Sequence, residues 1–280
     1  MYASSFIAGP DMWDPQGSYI TEFVKDTKGV IDAVTWHQYY LNGQTAQEED
    51  FLKPDVFDYL ASRIQTVKDI TNSVDASSTP IWLGETSSAY RGGAANMSDT
   101  FLATFLWADK LGVSAKMGLD VVMRQTLFND NYALIDHNYD PNPDWWFSVI
   151  YKKLVGTKVV PYTSTLSAEV RLYSHCAAAG GSTASVAVFG VNLASSTANV
   201  RIEGLFADEN SVATIYAYEL TADPLLSRTV YLNGEALHLT EDYDLPELVP
   251  KEISSGSSVT MPPYSIVFWV IPSTDVNACL

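Results

Sequence analysis

Pro80-Ile81-Trp82-Leu83-Gly84-Glu85-Thr86-Ser87-Ser88-Ala89-Tyr90-Arg91-Gly92-Gly93 is the stretch on which the reading of this 280-residue chain turns. A short apolar run, residues 81–83, closes at a glycine and a single carboxylate. Small hydroxyl residues, a tyrosine and a glycine-rich bend follow. An apolar run this short, bounded by turn residues, suits a strand buried on both faces. Glu85 then stands at its C-terminal end, where parallel α/β folds place their chemistry. Taken alone, the same residue also fits an exposed charge at a strand end.

On either side of this stretch the chain alternates strand and helix patterns. Residues 5–10 read as a strand ended by Gly-Pro. Residues 17–28 read as a helix with Ile20, Phe23 and Val24 on one face. Residues 30–40 are the next strand. Pro54 opens a helix to about Thr71 with Val56, Phe57, Leu60, Ile64 and Val67 as its stripe. Ser98 is expected to cap a helix that runs through Leu111 and stops at Gly112. Residues 118–128 form another strand, and Asn142-Pro143 starts a last helix ending at Gly156. Such alternation predicts a parallel sheet with helices outside it. After about residue 158, strands follow strands: residues 159–163, 170–175, 185–192, 199–202, 213–219, 229–232, 257–261 and 264–272. Asn233-Gly234 is a two-residue hairpin signal.

Four parallel strands are few for this sheet type, and an unprotected apolar edge is an aggregation hazard. The expectation is therefore the C-terminal part of a (β/α)8 TIM barrel (residues 1–157) followed by an antiparallel β-sandwich domain (residues 158–280). The partner for the open edge is expected in a missing N-terminal barrel segment, a second chain or a second copy.

Composition bounds the partners. A net charge of −17 argues against nucleic acid, anionic membrane and a broad polyanion-binding surface, leaving room for one small basic pocket. No 18-residue apolar run exists, so no transmembrane segment is expected, and the N-terminus has no signal-peptide pattern. The four histidines show no metal-ligand spacing, and no phosphate loop or Gly-x-Ser-x-Gly elbow occurs, so neither metal nor cofactor is expected. Asn96-Met97-Ser98 is a glycosylation sequon of a kind common by chance. Cys176 and Cys279 read from spacing alone as a pair or as two buried thiols.

The strand ends bring chemistry together. His37 and Tyr39 are two apart, so in an extended strand they face the same way, beside the strand that ends in Glu85. They fit an aromatic cluster at the barrel top. They also fit partners that hold a carboxylate ionised in one rotamer. The bend at Gly92-Gly93 can present backbone N–H groups to an anion. Gln125 and Tyr132, at and beyond the next strand end, can hydrogen-bond a sugar. A glutamate so placed, with Tyr and His beside it, suits the nucleophile of a retaining glycosidase.

Val34-Thr35-Trp36-His37-Gln38-Tyr39-Tyr40-Leu41-Asn42-Gly43 and Trp82-Leu83-Gly84-Glu85-Thr86-Ser87-Ser88-Ala89-Tyr90 resemble the heparanase family of retaining endo-β-glucuronidases. So do Val121-Val122-Met123-Arg124-Gln125, Lys152-Lys153-Leu154-Val155-Gly156-Thr157-Lys158-Val159 and the cysteine near the C-terminus. The resemblance implies that Glu85 is the nucleophile, with His37 and Tyr39 beside it. It implies that Tyr90, Arg91, Gly92, Gln125 and Tyr132 hold a glucuronic acid unit of a polysaccharide. It also implies a Cys176–Cys279 disulfide and a secreted or lysosomal protein. The departures are as informative. The family's acid/base is the Glu of an Asn-Glu-Pro motif, which occurs nowhere in these 280 residues. Asp11 and Asp14 are candidates by proximity only. Arg91 stands where the family has a glycine, and residues 11–22, basic in the family, contain no lysine or arginine. A non-catalytic glycan- or partner-binding homologue is the rival expectation.

Overall fold

The fold is that of a computed structural model, which describes residues 5–178, 184–206, 213–255 and 258–280. Its first part repeats one unit four times: strand β1 (Ala8–Met12) and helix α1 (Ser18–Asp26), then β2 (Ala33–Gln38). A short β3 (Leu41–Asn42) precedes helix α2 (Pro54–Ser73), strand β4 (Ile81–Thr86) and a short β5 (Ala89–Tyr90). Helix α3 (Phe101–Lys116), strand β6 (Val121–Arg124) and helix α4 (Pro143–Leu154) complete the run. The four main strands form a parallel sheet in the order β1-β2-β4-β6. Sequential parallel strands each followed by a helix are half of a (β/α)8 barrel. β2 is buried along almost all its length, as a strand covered on both faces must be. The α2 stripe Phe57, Leu60, Ile64, Val67 recurs every three or four residues and is fully buried.

The second part is antiparallel. Its strands are β7 (Val155–Val159), β8 (Val170–Ala177), β9 (Val186–Asn192), β10 (Ala198–Arg201), β11 (Ala213–Thr221), β12 (Tyr231–Leu232), β13 (Glu235–Ala236), β14 (Lys251–Ser255), β15 (Ser258–Met261) and β16 (Ser265–Ile271). The large sheet runs β13-β12-β11-β16-β9-β8-β7, with β14 also on β11, and β10 pairs β15 in a small second sheet. Side chains alternate across the large sheet. Phe189 and Phe268 face one core, shared with Trp146 and Phe147 of α4, whereas Val188, Val267 and Trp269 face the other, with Val200 and Val259 of the small sheet. The hairpin at Asn233-Gly234 forms as expected, with φ 52° and 93°, both in the left-handed region that this turn needs. Cys176 and Cys279 are bonded, tying the C-terminal turn to β8 across 103 residues of chain.

Two local expectations are corrected. The helix expected to stop at Gly112 runs on to Lys116. Gly112 lies inside it because a Cβ there would come within 2.0 Å of the Tyr173 ring. The glycine is needed for close approach of β8, not for a cap. The strand expected over 159–163 lies instead at Val155–Val159, directly continuous with α4. Residue 257, where another expected strand starts, lies outside the described residues.

Candidate active site

β2 and β4 are neighbours in parallel, so their C-terminal ends lie together, with His37 opposite Glu85 just past a register shift at Trp36/His37. The Tyr39 hydroxyl donates to Glu85 Oε1 at 2.6 Å. His37 Nδ1 lies 3.5 Å from Glu85 Oε2, and the other ring nitrogen, Nε2, lies 3.1 Å from Asp11 Oδ1. Burial, then the bond to Glu85, pushes the Tyr39 phenol far above its usual pKa, so it remains a donor throughout the working pH range. Gly84 leaves room for Asp11 here: a Cβ on it would fall 2.3 Å from Asp11 Oδ1 and displace that side chain.

A second layer fixes the end of β4. Thr86 is buried and its hydroxyl donates to the Gln38 carbonyl. Lys110, fully buried on α3, donates to Thr86 Oγ1 and, at 2.8 Å, to the Ser87 carbonyl. Its ammonium lies 4.4 Å from the centre of the Tyr40 ring. Burial pulls the Lys110 pKa well below the ordinary lysine value. Tyr132 and Gln125 stand behind Tyr39, and the rings of Tyr39 and Tyr132 stack at 6.2 Å. Arg124 pins this loop through Asp144 (2.6 Å) and the Tyr132 carbonyl (2.8 Å).

The bend after β5 has Arg91, Gly92 and Gly93 at φ 66°, 79° and 84°. Arg91 is the non-glycine in this left-handed run, a costly conformation for a residue with a Cβ. Its guanidinium bonds the Gln44 side chain and lies 5.9 Å from the Tyr90 ring centre.

A cavity of about 790 Å³ opens in front of Glu85, lined by Trp13, Asp14, His37, Tyr39, Asp55, Tyr59 and Tyr90 among others. Of the residues singled out in the sequence, Glu85, His37, Tyr39 and Tyr90 meet at this cavity. Gln125 and Tyr132 support it from behind, and Arg91 and Gly92 lie at the adjacent bend. Asn96 is exposed, but Ser98 of its sequon is buried against Ser88. Sequence reading missed Lys110 and Arg124. The one available signal was a basic residue set in an almost wholly apolar helix, Phe101-Leu102-Ala103-Thr104-Phe105-Leu106-Trp107-Ala108-Asp109-Lys110.

Solved structures share this fold. The GH51 arabinofuranosidase from Xanthomonas axonopodis pv. citri matches with TM-score 0.67 at 15% identity, over 96% of this chain and 59% of that one. A 4-O-α-L-rhamnosyl-β-D-glucuronidase from Fusarium oxysporum matches with TM-score 0.66 at 16% identity, over 95% and 58%. At such identities the likeness shows the fold. That fold sets the carboxylate of Glu85, held by Tyr39 and His37, at the C-terminal end of a barrel strand. The model for glycosyl hydrolase family 79, N-terminal domain, matches residues 3–112. Heparanase from Bos taurus is 39% identical over all of this chain and 52% of its own length. Hyaluronoglucuronidase from Hirudo nipponia is 34% identical over 98% and 56%, and inactive heparanase-2 from Mus musculus is 30% identical over 100% and 50%. Residues 3–112 thus match the glycosyl hydrolase family 79 N-terminal domain, and the whole chain is similar to the C-terminal portion of heparanases, spanning about half the length of these curated relatives.

Proposed function

We propose that this chain carries the nucleophile half of a retaining β-glucuronidase site that acts on glycosaminoglycan-type chains. The observation that carries the reading is the Tyr39–Glu85–His37 cluster, with its 2.6 Å and 3.5 Å contacts at the joined ends of β2 and β4. Tyr39 holds Oε1, so Oε2 is the oxygen less constrained to attack. Glu85 forms a bond to the anomeric carbon as the glycosidic C–O bond breaks. An acid protonates the leaving oxygen and then, as its conjugate base, takes a proton from the water that hydrolyses the glycosyl-enzyme. Retention needs that acid about 5–5.5 Å from the nucleophile. With no Asn-Glu-Pro in these 280 residues, it comes from a segment outside them. Tyr90 bounds the cavity, the Arg91-Gly92 bend takes the uronate carboxylate, and Gln125 and Tyr132 hold the sugar side of the cluster in register. The Cys176–Cys279 bond suits a secreted or lysosomal site of action.

The test compares the chain alone with the chain combined with an N-terminal barrel segment bearing Asn-Glu-Pro, using an aryl glucuronide. The chain alone is expected to be silent and the combination active. Glu85→Gln is expected to lower kcat at least ~10³-fold with an unchanged melting temperature. Turnover by the chain alone that needs Glu85 overturns the external acid, and turnover indifferent to Glu85→Gln overturns the nucleophile. The second reading, a non-catalytic binding homologue, is favoured by the missing motif and by similarity to inactive heparanase-2. A transcript without an in-frame Asn-Glu-Pro upstream of Met1 would establish it.

A further inference from the structure

The wall in front of Glu85 carries groups that the reaction at Glu85 does not use. Trp13 is 81% exposed, Tyr90 43% and Tyr59 40%, and all three line the same cavity. Asp14 and Asp55 line it as well, and among the described residues lining this cavity there is no lysine or arginine. The neighbouring cations are already engaged. Arg63 is only 12% exposed, 3.7 Å from Asp14 and 4.6 Å from the Tyr59 ring centre. Lys53 is bound to Asp50 at 2.7 Å. The loop that delivers Trp13, residues 11–22, contains Asp11, Asp14 and Glu22 and no basic residue.

From this wall we propose that the polymer taken at this site is an unsulfated glucuronic-acid polysaccharide, held by stacking on Trp13, Tyr59 and Tyr90 and selected against sulfated chains by Asp55, Asp14 being paired with Arg63. The inference rests on the glucuronidase reading above. An exposed aromatic ring buries the apolar C–H face of a sugar while leaving the sugar hydroxyls in water. A sulfate against this wall meets the Asp55 carboxylate with no cation in the described lining to offset it, a repulsion that salt screens over ~8 Å. Arg91 supplies one guanidinium beside Tyr90. That matches the single carboxylate of a glucuronate unit and does not extend to a sulfated run. Discrimination here comes from a repulsive element as much as from an attractive one.

The experiment uses the complete enzyme, the chain together with its completing segment. Rates are measured on N-acetylheparosan against heparan sulfate, on chondroitin against chondroitin sulfate, on hyaluronan, and on an aryl glucuronide. Within whichever pair is cleaved, kcat/KM for the unsulfated polymer is expected to exceed that for the sulfated one at least ~10-fold. Trp13→Ala is expected to raise KM for the unsulfated polymer ~10-fold with kcat within about twofold, and Trp13→Phe to recover most of the loss. The variant Asp55→Asn is expected to raise kcat/KM on the sulfated polymer at least ~3-fold at low salt, the gain fading at high salt. Equal or better cleavage of the sulfated polymer, cleavage of none of the unsulfated polymers, or no effect of Trp13→Ala overturns the inference while aryl glucuronide turnover persists. Absence of aryl glucuronide turnover sinks the glucuronidase reading itself, and the polymer inference with it.

Discussion

The parallel sheet and the large antiparallel sheet bury themselves in different ways. In the antiparallel sheet, β9 is buried at every residue and β16 at all but one, because helices cover one face and the small sheet the other. In the parallel sheet only β2 approaches that state. Around β1, Phe6 is 59% exposed and Ile7 41%, and on β6 Met123 is 41% exposed. The two sheets nonetheless share one apolar core, to which α2 and α3 contribute on the parallel side, and the end of β4 that holds Glu85 adds polar anchors to it. Stability and chemistry are separable here, and substitutions can pull them apart.

The largest effect expected is on stability. Phe189 is fully buried between the two parts, with Tyr151 at 5.2 Å, Tyr173 at 5.5 Å and Phe268 at 5.8 Å between ring centres. Phe189→Ala should cost ~3–5 kcal/mol, from lost transfer energy and from a cavity that three aromatic neighbours cannot collapse into. Urea unfolding measures it. A loss under ~1.5 kcal/mol would mean that this sheet is not the packing centre described.

Next comes α3, which joins the two regions through adjacent residues. Buried Asp109 accepts from Arg171 at 2.6 Å and from the Tyr173 hydroxyl at 2.5 Å, both on β8, while Lys110 reaches the end of β4. Lys110→Met removes the brace but also removes a buried ammonium that is costly to desolvate. Stability should change by no more than ~1 kcal/mol, while kcat of the complete enzyme falls ~10-fold, equivalent to ~1.4 kcal/mol in the barrier. Melting curves beside kinetics decide it. Equal losses in both would make Lys110 an ordinary core residue.

Much of this architecture was legible beforehand, because its signals are local. The 3.6-residue stripe of α2, the short apolar strands and Asn233-Gly234 each encode their own conformation. Glu85, His37 and Tyr39 were legible as a group because strand-end placement and the parity of 37 and 39 are local too. What was illegible depends on approach between distant segments. Gly112 looked like a helix stop until Tyr173, 61 residues away, was seen to need its missing Cβ. Lys110 cannot be read as a brace without knowing that α3 passes behind β4. Asp11 could be placed only by proximity in sequence. The contact with His37 and the space left by Gly84 give that proximity a physical form.

The smallest effect is a pH dependence that belongs to the β domain. His175 on β8 is 2% exposed, with Nδ1 2.9 Å from the Gly156 carbonyl and its ring centre 5.8 Å from that of Phe189. Burial lowers its pKa below the ordinary value of 6.5. Between the folded value and 6.5 the unfolded chain binds more protons than the folded one, so stability rises with pH across that window. The stabilisation is complete above about pH 6.5 and is lost as pH falls through the folded value. From pH 7 to pH 5 the wild-type chain should lose ~1 kcal/mol more than His175→Gln, whose side chain cannot charge. Urea midpoints at the two pH values measure the difference. Equal acid losses in the two proteins would remove His175 as the cause and return the acid sensitivity to the carboxylates around the site. The comparison would then reverse, with the region that carries the chemistry also setting the acid limit of the fold.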